Sequence, residues 1–309
     1  MKPFGKITRR ISKHWNDDEQ MFKIGMGLKF LGVSLFCLLS VLLFTYLLIR
    51  IDLIYFVAHG FPGADEYQAA FYGYIYSAFE DELIWIAIGA AFTFGLGYYL
   101  ASIIIRPFRV IGEYCDDRIH NKKNFYTPDF FSDLKLLTSF SVFFFTKVDE
   151  AGVKGKLDKV EIPPDYLGIH KPIFERNFFF NYFFIIVIFA LLSSLGIVLV
   201  NIEIRDHMFE LAKKFLANNK NVTYFLDEQF VIADIAVYFF VSLHLLLYFI
   251  LGVHLYGKIA TPAFAVFATM RSYLRGNHHN RVHLIGYYYL RNDCRKINKY
   301  LDHVQKNLT

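Results

Sequence analysis

Four long stretches of this chain lack charge altogether. Phe30 to Ile49, Leu83 to Ile105, Phe178 to Ile202 and Ile235 to Gly257 contain no Asp, Glu, Lys or Arg. Each reaches the roughly 20 apolar residues needed to cross about 30 Å of hydrocarbon at about 1.5 Å per residue. That excludes a soluble domain. Cysteine is scarce, and Cys37, Cys115 and Cys294 lie in a span or on the side that the charge bias below makes cytoplasmic, which excludes a disulfide framework. A nucleophile elbow, a phosphate-binding glycine loop, a kinase box and a cyclase signature are all missing. Gly95 and Gly97 sit inside a span with no βαβ context, where they serve helix packing. With no acid–base or nucleophile constellation the expectation is a non-enzyme without a cofactor. No small-x-small site precedes Arg50-Ile51-Asp52, so the first span reads as a signal anchor.

Aromatic rings are abundant instead, with 35 Phe and 21 Tyr among 309 residues. Lys and Arg are unevenly placed. Segments 1–29, 106–177 and 258–309 hold 7, 12 and 9 of them, against 1 and 4 in the hairpins 50–82 and 203–234. The positive-inside rule therefore puts both termini and the middle segment in the cytoplasm of a multi-pass protein, here read as one of a bacterial inner membrane. The basic face is expected to meet anionic lipid headgroups. Nucleic acid is not an expected partner, since no recognition motif accompanies the charge.

Six segments follow. Residues 1–29 are basic with Phe4, Ile7, Ile11 and Trp15 at helical spacing, either a helix on the leaflet or a disordered flank. Residues 30–105 form a first transmembrane hairpin that turns at Gly60-Phe61-Pro62-Gly63. Its return carries an aromatic belt (Phe71, Tyr72, Tyr74, Tyr76, Phe79) and a small-residue run (Gly89, Ala90, Ala91, Gly95, Gly97, Ala101). Residues 106–150 and 258–309 are helix-connector-helix units, 151–177 is an irregular return linker, and 178–257 is a second hairpin. There, Ile204, Met208, Leu211 and Phe215 line one helical face ahead of a turn expected from Asn218 to Asn221.

Pro107 and Pro262 stand 155 residues apart, and at that shift Gly97 meets Gly252 and Leu100 meets Leu255. Each half reads as span, hairpin, span, proline, short helix, connector and long helix, an internal repeat of layout. After Pro262 come an amphipathic run, Val266 to Leu274, a polar connector, Arg275 to Asn280, and a heptad: Tyr287, Leu290, Cys294, Ile297, Leu301, Val304, Leu308. A 3.5-residue period keeps one apolar edge toward a partner helix. The first copy has Ile111, Tyr114, Arg118 and Ile119, a connector from His120 to Tyr126, and a long helix from Pro128 bearing Phe130, Leu134, Leu137, Ser141, Phe144 and Val148. Ser139 to Val148 also fits a strand.

The proline after a span, the short helix, the connector with Gly276-Asn277 and Arg281-Val282, and the heptad resemble the HAMP module of bacterial chemoreceptors, sensor kinases and transmembrane cyclases. The usual Asp-Glu pair at the start of the second helix is replaced by Ile285-Gly286-Tyr287, and in the first copy by Pro128-Asp129. The resemblance implies an all-α membrane protein whose two units build a parallel four-helix bundle, a pseudo-dimer within one chain or part of a homo-oligomer or larger complex.

Two histidines lie in the fourth span. His244 is expected to bond a Tyr, Ser or carbonyl of a neighbouring span, and His254 to bond near Tyr98, Tyr99 or the interface. His278, His279, His283, His303 and Cys294 invite a metal, but the first two sit in a connector and Cys294 on the apolar seam, so no metal is expected. The functional expectation is a non-enzymatic signal relay or adaptor, with Pro107, Pro262 and the seam from Leu290 to Leu308 as its moving parts. With no output domain expected beyond Thr309, a protein partner would read the bundle. The alternatives are a static accessory or scaffold subunit and, third, a small pore or transporter.

Overall fold

A computed structural model describes residues 17–122, 126–127, 134–216 and 220–308. Their regular secondary structure is all helical, with no strand among them. In order they form α1 (Asp18–Ala58), α2 (Ala64–Ile119), α3 (Lys135–Lys154), the single turn α4 (Pro164–Leu167), α5 (Arg176–Phe215), α6 (Lys220–Leu274), a 3-10 turn (Tyr288–Leu290) and α7 (Arg291–Leu308). Four helices are long and apolar enough to cross a membrane: α1, Glu82–Ile119 of α2, α5, and Tyr224–Leu274 of α6. Ser139 to Val148, open to a strand reading, belongs to α3, where Phe140, Ser141, Phe144 and Val148 are buried at helical spacing. The residues expected to form a leaflet helix (Phe4, Ile7, Ile11, Trp15), the Pro128 to Phe130 start of the first heptad, and Asn218 and Asn219 of the expected turn lie outside the described residues, while Lys220 and Asn221 of that turn already belong to α6.

Two expected boundaries move. Neither Pro107 nor Pro262 ends a helix; each lies inside a continuous one. The second heptad helix also starts later than the seam pattern implies. Tyr287 precedes it with a non-helical backbone (φ −110°, ψ 57°), and the α-helix proper begins at Arg291.

The chain divides into two compact units. One, here the hairpin unit, comprises Gly27–Leu96 and Ile185–Leu251. Its larger core joins Ile49, Leu53 and Phe56 of α1 to Tyr67 and Phe71 of α2, Met208 and Ala212 of α5, and Leu226 of α6. Phe71 of the expected aromatic belt is thus core, whereas Tyr72 and Tyr76 are exposed. Ile204, Leu211 and Phe215 pack around the same cluster. The α1–α2 turn needs glycine at Gly63. Its φ is +82°, and a Cβ there would stand 1.9 Å from the Phe215 carbonyl oxygen. A second cluster joins Cys37 and Val41 to Ile197 and Val237 and draws on α1, α5 and α6. On α2, by contrast, Leu83, Ile84, Trp85 and Ile86 are all exposed, a full turn that faces its surroundings on every side.

The other, the bundle unit, comprises the described residues of Met1–Met26, Gly97–Phe184 and Gly252–Thr309. It contains both prolines, α3 and α7, and an aromatic core that includes Phe108, Phe140, Phe144, Phe267 and Tyr273.

Candidate functional site

Proline has no N–H, so inside a helix it leaves the carbonyl four residues earlier without its donor. For Pro262 that carbonyl belongs to Lys258. The Tyr289 hydroxyl donates to the Lys258 carbonyl oxygen at 2.7 Å. Burial pushes the Tyr289 phenol above the ordinary tyrosine range, which keeps the O–H protonated as a donor. The ring is fixed by stacking on Phe22, with centroids 4.0 Å apart. The bond that the proline removes from α6 is therefore replaced by one from the turn that opens α7. Sequence reasoning passed over Tyr289, although an i−4 carbonyl orphaned by an unbroken helix over Pro262 signals the need for a donor.

The helices around this joint run in matched directions. Along α3 and the end of α6, Phe140 meets Phe267 (centroids 4.7 Å), Ser141 meets the Met270 sulfur (3.7 Å) and Phe144 meets Tyr273 (centroids 6.1 Å). Both numbers rise together, so the two segments are parallel. The same holds for α6 and the stretch leading into α7, where Lys258 meets Tyr289 and Tyr273 donates to the Leu301 carbonyl at 2.9 Å. On α2, Gly112 lies against Asp293, and Tyr114 packs on Phe145 of α3 at 4.4 Å. Arg118 ion-pairs with Asp149.

The seam residues Leu290, Cys294, Ile297, Leu301 and Val304 are buried inside this unit, and Tyr287 and Leu308 are half-buried. The matching residues of α3, Leu137, Ser141, Phe144 and Val148, are buried as well, together with Leu134 just before the helix. Burial pushes the Cys294 thiol up to about 12, so it packs as a small apolar group and not as a thiolate. Asp293 beside it is buried in the first turn of α7. Burial raises its carboxyl above the usual range, against the pull of Lys296 and Arg109. The connector is pinned where Asn298 both accepts from the Val282 N–H (2.8 Å) and donates to its carbonyl (3.0 Å). Arg281 reaches Asp302 at 2.6 Å. Arg271 donates to the Tyr166 and Ile169 carbonyls at 2.7 and 2.8 Å, which holds the linker around α4 against α6.

Among the described residues no group of three or more His, Cys, Asp or Glu is placed to hold a metal. His279 faces Gln305, His303 faces Asn307, and His278 packs edge-on against Tyr273. In the hairpin unit His244 is fully buried. Its Nε2 shares a 2.8 Å hydrogen bond with Ser193 Oγ on α5, and Tyr248 stands edge-on 4.9 Å away. His254 lies on the exposed face of α6, and Tyr98 donates to Gln20 at 2.7 Å. The structure also gathers Thr45, Asp52, Asn201, Arg205 and Gln229 around one cavity of that unit. In the sequence these were only scattered polar residues at span ends. Comparison with protein-family models, curated proteins and solved structures found no match.

Proposed function

We propose that this protein is a non-enzymatic membrane relay, with the hairpins outside the membrane and a HAMP-like four-helix bundle in the cytoplasm. The bundle would consist of the ends of α2 and α6 with α3 and α7, two helix-connector-helix copies in one chain. The observation that carries the reading is the Tyr289 bond to the carbonyl that Pro262 orphans. A tilt or rotation of α6 at its proline changes the distance from Lys258 to Tyr289, and so pulls directly on the start of the heptad helix. The repeat gains support from the unit boundaries, which fall after Leu96 and Leu251, again 155 residues apart. The basic face would lie against anionic headgroups, and a protein partner would read the bundle.

Pro262→Ala tests the relay. The replacement restores the helix donor for the Lys258 carbonyl and removes the need for Tyr289. In native cells the variant is expected to keep its membrane level and its co-purifying partner while the output of that partner changes. If level, assembly and output fall together, the relay reading is lost.

The scaffold reading has an observation of its own in the turn of α2 from Leu83 to Ile86, whose four side chains are all exposed. A large stable complex purified from native membranes, with cross-links from these positions to one subunit and no response to Pro262→Ala, would establish it instead.

A further inference from the structure

Among the described side chains of the hairpin unit Asp52 is the most deeply buried carboxylate, 3% exposed, and its Oδ1 has no hydrogen-bond partner. It lines a cavity of about 20 Å³, room for one water or one small ion. The other polar walls present oxygen. Gln229 turns a buried Oε1 to the cavity, also without a partner. Thr45 Oγ1 donates to Asn201 Oδ1 at 3.1 Å, so the threonine lone pairs and the amide oxygen both remain free to accept again. Leu48, Ile49, Phe230 and Ala233 close the space with apolar surface.

The charged and titratable groups that face Asp52 from the packed helices are few. Tyr67 on α2 is within electrostatic reach and can only add negative charge. Arg205 on α5 lines the cavity, but its guanidinium is committed to Asp234 on α6, at 3.2 and 3.4 Å, and to Asp206. Among the described residues no cation is ion-paired with Asp52. A carboxylate taken out of water without a counter-charge is costly, and the cost is relieved either by a proton or by a bound cation. Carboxylate, amide and hydroxyl oxygens are the donor set of a hard cation.

We propose that this cavity is a monovalent-cation site in which sodium and a proton compete for Asp52, with Gln229, Asn201 and Thr45 supplying the remaining oxygens. Sodium enters as the proton leaves, so the buried charge stays balanced. The inference does not rest on the relay reading, because binding is read at the carboxyl itself.

The test is carbodiimide labelling of the purified full-length protein, which modifies a carboxyl only in its protonated form, with the labelled peptide identified by mass. Asp52 is expected to label, and sodium chloride is expected to slow the reaction relative to choline chloride at the same pH. The slowing should reach about tenfold when sodium stands at roughly ten times its dissociation constant. Gln229→Leu should still label but need about tenfold more sodium for the same protection, one lost ligand being worth about 1.4 kcal/mol. Labelling of Asp52 that is indifferent to sodium overturns the proposal in favour of a proton site alone. No labelling across the neutral range overturns it in favour of a water held by a permanently charged, unexchanged carboxylate. Both outcomes are read on the wild-type chain, so they stand even where a variant fails to fold.

Discussion

The two units satisfy their buried polar groups in different ways. In the hairpin unit bonds between helices run from side chain to side chain, Thr45 to Asn201, Ser34 to Tyr248 and Ser193 to His244, and also from the Tyr248 hydroxyl to the Phe30 carbonyl. In the bundle unit three run from tyrosine hydroxyls to backbone carbonyls, Tyr273 to Leu301, Tyr289 to Lys258 and Tyr182 to Gly252, beside the side-chain pair of Tyr98 and Gln20. The physical difference lies in the backbone. An uninterrupted apolar helix uses its own donors and acceptors, so a polar side chain there pairs with another side chain or shares a carbonyl, as Tyr248 shares that of Phe30. Where a proline removes a donor, as at Pro262, a carbonyl is left for a neighbouring helix to reach. The hairpin unit thus relies on packing and a few side-chain pairs, whereas in the bundle unit a tyrosine supplies the donor that Pro262 removes.

This contrast can be broken most severely at the turns. Gly63 in the hairpin unit has a positive φ and the Phe215 carbonyl in the place a Cβ would occupy. Gly276 in the bundle unit also has a positive φ, +99°, but nothing within 4 Å. Gly63→Ala is expected to abolish folded protein in a detergent size-exclusion assay. Gly276→Ala should cost only the left-handed strain, about 1–2 kcal/mol. Equal effects would mean that the α1–α2 turn yields and the close approach to α5 is dispensable.

The second-largest effect separates buried from exposed leucine. Leu301 is 0% exposed and Leu39 is 58% exposed. Leu301→Ala should lower stability by about 3 kcal/mol through lost contacts and a residual cavity. Leu39→Ala should stay within about 0.5 kcal/mol, measured by thermal unfolding in the same detergent. A large cost at Leu39 would reveal that the exposed face of α1 is covered by a partner in the membrane.

The four apolar helices were legible because a charge-free run of 20 or more residues has few other uses. The burial of the second seam was legible from spacing alone, since Leu290 to Val304 recur at 3 and 4, whereas Leu137, Ser141, Phe144 and Val148 recur likewise in a stretch whose Ser139 to Val148 also fits a strand. The continuity of α2 and α6 through their prolines was not. A proline predicts a break unless the orphaned carbonyl finds another donor, and Tyr289 lies 31 residues from Lys258 along the chain. The polar cavity was hidden for the same reason. Thr45, Asp52, Asn201, Arg205 and Gln229 come from three helices, and nothing in their spacing says that they converge. Asp52 stood in the sequence as one of the six carboxylates of an acidic hairpin.

A third expected effect is local. Arg271 holds the Tyr166 and Ile169 carbonyls and lies over the Phe267 ring, 4.9 Å from its centroid. Arg271→Met keeps most of the apolar stem and removes the donors, at a cost of about 2 kcal/mol for hydrogen bonds from a charged group. The expected readout is faster proteolysis within 155–172, with the hairpin unit as resistant as before. Uniform protection would show that the linker is held by its backbone bonds to Leu274 and Leu308 alone.

The smallest effect is a pH dependence confined to the bundle unit. Burial raises the Asp293 carboxyl above the ordinary value of about 3.9, and the pull of Lys296, 3.9 Å away, does not cancel it. The folded state therefore prefers the protonated acid. Its contribution to stability is full below the unfolded value and is lost as the pH rises through the raised one, so ionised Asp293 is a cost at neutral pH. Asp293→Asn cannot ionise and should be more stable than wild type at neutral pH, with the advantage shrinking to nothing in acid. The first turn of α7 limits the gain, because a negative charge at a helix N-terminus is favoured by a few tenths of a kcal/mol up to about 1. A variant less stable than wild type at every pH would reverse the sign. Attraction to Lys296 and Arg109 would then outweigh burial, and the bundle unit would depend on a buried ion pair as the hairpin unit depends on its polar pairs.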